Sequence, residues 1–66
     1  MLSVKQKLRI ACAARGITMA QWARELGITP GGLDRIASGI RKSARIQIAI
    51  DDLIQTEFEK LEIKDI

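Results

Sequence analysis

The sequence contains neither histidine nor tyrosine, and it has one cysteine, one tryptophan and one phenylalanine. A zinc site needs about four nitrogen or sulfur ligands and a disulfide needs two cysteines, so the sequence predicts neither. Serine and threonine nucleophiles need a neighbouring base, and no histidine is present to act as one. We therefore expect no metal, no cofactor and no enzymatic activity.

Long apolar runs are also missing. No stretch approaches the ~20 apolar residues of a membrane span, and no apolar run follows the first basic residues as in a signal peptide. The single thiol, Cys12, lies in an apolar stretch and is expected to be a small buried residue. A lone unpaired cysteine fits a reducing compartment, so we expect a cytoplasmic protein that does not associate with membranes.

The chain has 66 residues, enough for one domain spanning 1–66. A chain of this length buries only about 60% of the surface that its unfolded form exposes, which leaves little room for a deep substrate pocket. Domains of this size are usually binding modules, and we expect no small-molecule substrate.

Charge is distributed unevenly along the chain. Residues 1–49 carry nine basic and two acidic side chains, a net charge of +7, whereas residues 50–66 carry two basic and six acidic ones, a net charge of −4. A basic body with an acidic end points to a polyanionic partner for the first part.

Apolar spacing and capping residues predict an all-α domain of four helices, or five. The N-cap candidates are Ser3, Thr18 and Thr29, and the glycines expected to end the first three helices are Gly16, Gly27 and Gly39. The predicted helices cover about residues 3–15, 19–26, 30–38 and 43–61. A strand over 45–50 is the alternative, because Ile46, Ile48 and Ile50 alternate, but the later apolar residues continue only the helical period.

The second and third predicted helices are short, and Gly-Ile-Thr at 27–29 joins them as in a helix-turn-helix unit. Ala23 supplies the small residue needed where the helices cross, and Gly27 can adopt the positive φ of the sharp turn. The apolar residues expected to lock the pair together are Trp22, Leu26, Ile28, Leu33 and Ile36. This assignment places Trp22 in the core rather than on a base-stacking surface. The unit spans about residues 18–39.

The segment from Ile17 to Gly39, ITMAQWARELGITPGGLDRIASG, resembles the phage repressor and Cro class of helix-turn-helix domains. The Ser-Gly-Ile-Arg-Lys at 38–42, which overlaps the end of this segment, is similar to the short basic loop after their recognition helix, and the likeness extends over about residues 3–55. It implies a lambda-repressor-like fold and a transcriptional regulator that binds double-stranded DNA. The helix capped by Thr29 would then enter the major groove.

The resemblance also assigns site residues. Base-facing positions fall on Pro30, Gly31, Gly32 and Arg35, and of these only Arg35 has a side chain suited to a base edge, through a bidentate contact to guanine. Phosphate contacts are expected from Gln21, Arg24, Thr29, Arg41 and Lys42. The two glycines weaken the helix by about 1 kcal/mol each relative to alanine, although they would let its backbone approach DNA. Specificity would then depend on Arg35, DNA shape and half-site spacing.

One departure from the family concerns the core. A buried arginine–glutamate pair is frequent in that class, and the equivalent positions here hold Cys12 and Ala37. We expect apolar packing in its place, which need not cost stability because buried ion pairs often fail to offset their desolvation.

The last predicted helix carries more apolar residues than one packing face requires. The candidate homodimer face comprises Ile50, Leu53, Ile54, Phe58 and Leu61, with core packing as an equal alternative. A dimer would bind two half-sites about 34 Å apart. The alternative function is a protein-interaction module, antirepressor-like or antitoxin-like, which the two glycines and the acidic end favour.

Overall fold

A computed structural model describes residues 1–61, so the last part of the acidic end, residues 62–66, lies outside the described residues. Four helices follow one another: α1 (Val4–Arg15), α2 (Met19–Glu25), α3 (Pro30–Ala37) and α4 (Ala44–Leu61). The all-α prediction with four helices is confirmed for residues 1–61, and no strand occurs in that range. The strand alternative for 45–50 is wrong, because α4 runs through these residues.

The helices form a small compact globule of 29 × 22 × 16 Å. Helix α1 contacts the other three helices, and α4 packs against α1 and α3. None of the helices in residues 1–61 combines the length and the apolar character that crossing a membrane requires.

Side-chain caps define where α1 and α2 begin. The Ser3 hydroxyl accepts a hydrogen bond from the Gln6 N–H at 3.1 Å, and the Gln6 carboxamide oxygen accepts one from the Ser3 N–H at 2.8 Å. Thr18 and Gln21 form the same reciprocal pair, at 3.0 and 2.9 Å. Each box satisfies two N–H groups that a helix start leaves without an intrahelical partner. The predicted N-caps Ser3 and Thr18 are confirmed.

The turn between α2 and α3 depends on Gly27, which has φ = 80°. At this residue the chain leaves α2 while the Ile28 N–H donates to the Ala23 carbonyl at 3.0 Å. A side chain at position 27 would be strained in this left-handed conformation even though space for it is open. The sequence prediction that Gly27 supplies the positive φ of the turn is confirmed.

The core draws residues from all four helices. Its fully or almost fully buried members are Leu8, Ala11, Cys12, Trp22, Ala23, Leu33, Ile36, Ala37, Ile46, Ile50, Leu53 and Phe58. Trp22 is 5% exposed, which confirms its assignment to the core, and apolar packing at Cys12 and Ala37 is likewise confirmed. Burial raises the pKa of the Cys12 thiol, because the charged thiolate would lose its hydration.

The candidate dimer face on α4 needs correction. Ile50, Leu53 and Phe58 are each at most 4% exposed within a single chain, so they are buried in its own core and cannot contact a partner. They lie on the side of α4 that packs against the other helices, so the core-packing alternative is the correct one for these three residues. Ile54 is half-buried against the same core, and Leu61, 48% exposed, is the one member of the set that is open to solvent.

A buried carboxylate joins the end of α1 to α4. Glu57 is 3% exposed, and its Oε2 accepts from Arg15 Nε at 3.2 Å and lies 3.1 Å from Arg15 Nη2. Lys60 Nζ approaches the same oxygen at 3.4 Å. In the sequence Glu57 is only one of the six acidic residues of the 50–66 end, whereas the structure uses it as a tie between two helices.

Candidate nucleic-acid interface

Helix α3 has one buried and one open side. Its buried residues are Gly32, Leu33, Ile36 and Ala37. The opposite side, which we call the outer face of α3, is formed by Pro30, Gly31, Asp34, Arg35 and Ser38. At 3.6 residues per turn, Gly31, Asp34 and Ser38 lie within about 60° of one another at its centre, with Pro30 and Arg35 on the flanks. A helix laid in a groove would present this face to it.

The base-facing assignment of Gly32 is contradicted by its burial. A Cβ at this position would lie 3.1 Å from Thr29 Oγ1 and 3.7 Å from Arg41 Nη1, so those two side chains cover it. Gly32 also donates its N–H to Thr29 Oγ1 at 3.0 Å, which confirms Thr29 as the N-cap of α3. This glycine therefore serves the close packing of the cap and the arginine rather than an approach of backbone to DNA.

Gly31 differs from its neighbour. It lies on the outer face, it is exposed, and nothing lies within 4 Å of the place where a Cβ would stand. No contact within the described residues calls for a glycine here. Of the two glycines, Gly31 alone can bring the helix backbone close to a ligand surface.

The basic loop, residues 39–43, folds back onto α3. The N–H groups of Ile40 and Arg41 both donate to the Arg35 carbonyl, at 2.9 and 3.2 Å. From this anchor at the end of the helix, the Arg41 side chain returns along α3 until its guanidinium reaches Gly32 in the first turn. The loop thereby adds a positive charge to the end of α3 whose N–H groups attract anions.

A cleft of about 350 Å³ lies between the α2–α3 turn and the start of α4. Its lining includes Arg41 and Arg45 and no acidic residue, and Arg45 Nη2 is held by the Leu26 carbonyl at 3.2 Å. The full lining is Gly27, Ile28, Thr29, Gly32, Ile36, Arg41, Ser43, Arg45 and Ile46. Guanidinium groups in such a cleft suit a phosphate oxygen. Arg45 is not among the residues predicted from the sequence. Its place as the second residue of α4, directly after the basic loop, could have suggested it.

The other predicted phosphate-contact residues are exposed. Gln21, Arg24, Thr29 and Lys42 all lie at the surface. The Gln21 carboxamide oxygen is engaged in the α2 cap, which leaves its amide nitrogen as the donor for an external group. Thr29 Oγ1 accepts from Gly32, and its hydroxyl hydrogen can still be donated outward. Gln21 and Thr29 lie at the starts of α2 and α3, Arg24 lies in the last turn of α2, and Lys42 lies in the basic loop after α3.

Asp34 is a residue of this surface that sequence analysis did not single out. Its Oδ1 lies 2.6 Å from Lys5 Nζ of α1, and the two side chains are 45% and 40% exposed. A helical wheel of 30–38 places Asp34 on the face opposite Leu33 and Ile36, and this pattern could have found it. Its pairing with Lys5, 29 positions earlier in the chain, could not be found in this way.

Within residues 1–61, no three histidine, cysteine, aspartate or glutamate side chains are grouped as metal ligands would be. The surface around α3 instead combines the outer face of that helix with three basic residues: Arg41 and Lys42 of the loop and Arg45 of α4. Comparison of the chain with protein-family models, with curated proteins and with solved structures gives no match.

Proposed function

We propose that this protein is a helix-turn-helix regulator of transcription that binds double-stranded DNA, with α3 as the recognition helix in the major groove. The observation that carries the proposal is the outer face of α3, open along its length and flanked by Arg41, which reaches back to the first turn of the helix. The net charge of +7 over residues 1–49 favours the same polyanion.

Contacts on this surface divide into two kinds. Arg41, Lys42 and Arg24, together with the hydroxyl of Thr29 and the amide nitrogen of Gln21, would bind phosphates and set the position of the domain on the duplex. Arg35, exposed on the flank of the outer face, would contact guanine O6 and N7. Pro30 and Gly31 would allow close approach without contributing a hydrogen-bonding side chain.

One short helix contacts too few base pairs for useful specificity, so the proposal includes a homodimer on two half-sites. Those half-sites would be about 34 Å apart on one side of the duplex. Because Ile50, Leu53 and Phe58 are buried within each chain, the contact between copies would use other residues.

The test is binding of the purified protein to random-sequence duplex DNA at ~50 and ~200 mM salt. Six or so phosphate contacts predict an affinity about 10³-fold lower at the higher salt concentration, because counterions are released on binding. The six charged contacts are those of Arg24, Arg41 and Lys42 in the two copies of the proposed dimer. An Arg41→Ala/Lys42→Ala variant should bind more weakly, and the slope of log affinity against log salt should be shallower by about four, because each copy loses two of these contacts.

The matched control is Arg41→Lys with Lys42→Arg, which keeps both charges and should retain the salt slope. Circular dichroism of all three proteins checks that the helices are intact. If the wild-type protein binds no duplex at the lower salt concentration, the regulator proposal fails, and the protein-interaction alternative takes its place.

A further inference from the structure

Asp34 is the one acidic side chain on the outer face of α3, and its position needs an explanation. It is the fifth residue of the helix, beyond the first turn where a carboxylate would interact favourably with the helix dipole. Its ion pair with Lys5 is about half exposed, and such pairs add little to stability. Neither local effect accounts for a carboxylate at the centre of this surface.

A carboxylate facing DNA is normally unfavourable, because the phosphates repel it. Lys5 changes this balance, since its ammonium lies 2.6 Å from Oδ1 and neutralises the charge at its source. The ion pair also restricts the direction of the side chain, while an ionised carboxylate keeps further lone pairs that can accept hydrogen bonds. Asp34 is thus a hydrogen-bond acceptor on the outer face of α3 whose negative charge is balanced by the Lys5 ammonium.

The space in front of Asp34 is open as well. Gly31, three residues earlier on the same face, has no side chain and no neighbour within 4 Å of its missing Cβ. A helix packed into a groove could therefore come close at this point, and the short aspartate side chain would reach a base edge. In the major groove, aspartate accepts from the exocyclic N4 amino group of cytosine.

We propose that Asp34 is a specificity-determining residue that accepts a hydrogen bond from cytosine N4, and that Lys5 is the positioning residue that makes this contact favourable. The inference rests on the proposed DNA-binding function and names a base preference that Arg35 alone would not give.

The experiment begins with selection of binding sites from a random duplex library by the wild-type protein, Asp34→Ala and Asp34→Asn. The wild-type sites should hold a cytosine at one position of each half-site. Asp34→Ala should lose the preference there and keep the rest of the site, and Asp34→Asn should shift it toward adenine, which asparagine contacts through N6 and N7. On the wild-type site, Asp34→Ala should bind at least about fivefold more weakly, the lower end of what a good base contact provides.

The role of Lys5 is tested on the same wild-type site with Lys5→Met, alone and combined with Asp34→Asn. A positioning role predicts that Lys5→Met weakens binding in the wild-type background and has no further effect beside Asp34→Asn. An equal loss in both backgrounds would show that Lys5 contacts phosphate directly, and would overturn its positioning role.

The results separate this inference from the function on which it rests. If no protein binds any duplex at low salt, both fail together. If the wild-type protein and Asp34→Ala select the same site with the same preference at every position, the DNA-binding proposal stands and the assignment of Asp34 is overturned.

Discussion

Gly31 and Gly32 are neighbours that look equivalent in the sequence, yet the fold uses them differently. Gly32 is covered by Thr29 and Arg41, so a Cβ here would press on the Thr29 oxygen that caps the helix. Gly31 faces outward with open space around it, and the described contacts give it no structural role. A helix interior normally loses about 1 kcal/mol at each glycine relative to alanine. At Gly31 that loss has no compensation within the described part of the fold.

Gly31→Ala should therefore stabilise the protein, because the added Cβ meets no neighbour. The gain should be at most about 1 kcal/mol, the value for a helix interior, since Gly31 is the second residue of α3. Gly32→Ala should gain clearly less, since its Cβ would stand 3.1 Å from the Thr29 oxygen that caps α3. Urea unfolding of the two variants beside the wild-type protein measures the difference. Equal gains at the two positions would show that Thr29 moves aside freely and that Gly32 is not required.

Local sequence patterns are sufficient to predict the helices themselves. Ser3 and Thr18 form capping boxes with Gln6 and Gln21, and these pairs are three residues apart in the sequence. Thr29 with Pro30 likewise marks the start of α3. Local hydrogen bonds of this kind can be predicted from sequence because both partners are close along the chain.

Contacts between elements could not be predicted in the same way. Glu57 is one of six acidic residues at the end of the sequence, and its partner Arg15 is 42 positions away. The resemblance assigns Gly32 to the DNA-facing side, and only the fold shows that Arg41 returns to cover it. In each case, the sequence pattern of one helix does not show which residue of another element packs against that helix.

The tie between α1 and α4 should contribute measurably to stability. Glu57→Ala should lower the free energy of unfolding by about 1–2 kcal/mol, because Arg15 loses its buried partner. The loss stays below that of a fully buried pair, since the Arg15 side chain is 42% exposed and water can solvate it.

Lys60→Ala is the matched control for this prediction. It removes the other ion pair of Glu57, but the Lys60 side chain is 67% exposed, so thermal or urea unfolding should differ little from that of the wild-type protein. A loss for Lys60→Ala as large as that for Glu57→Ala would mean that the carboxylate acts through Lys60 rather than through Arg15.

The hydrophobic core closes within one chain. Helix α4 directs Ile46, Ile50, Leu53 and Phe58 against the other helices, and each is at most 4% exposed. The exposed large apolar residues of the described chain are Met1, Ile40, Ile48 and Leu61. On α4, Ile48 and Leu61 stand 13 positions apart, and the polar residues Asp51, Asp52, Gln55 and Glu59 are exposed between them. Most of the α4 residues that the sequence predicts as a dimer face are therefore buried in the core of the single chain.

Because the core closes within one chain, folding should be independent of assembly. If the partner copy supplied part of the core, raising the protein concentration would stabilise the fold by mass action. Since one chain buries its own core, the urea midpoint at about 1 µM should equal that at about 100 µM. Pairing of two copies would then be observed on a duplex carrying two half-sites and not be required for folding, which sedimentation with and without that duplex can check. A midpoint that rises with concentration would contradict this prediction and return part of α4 to an interface between copies.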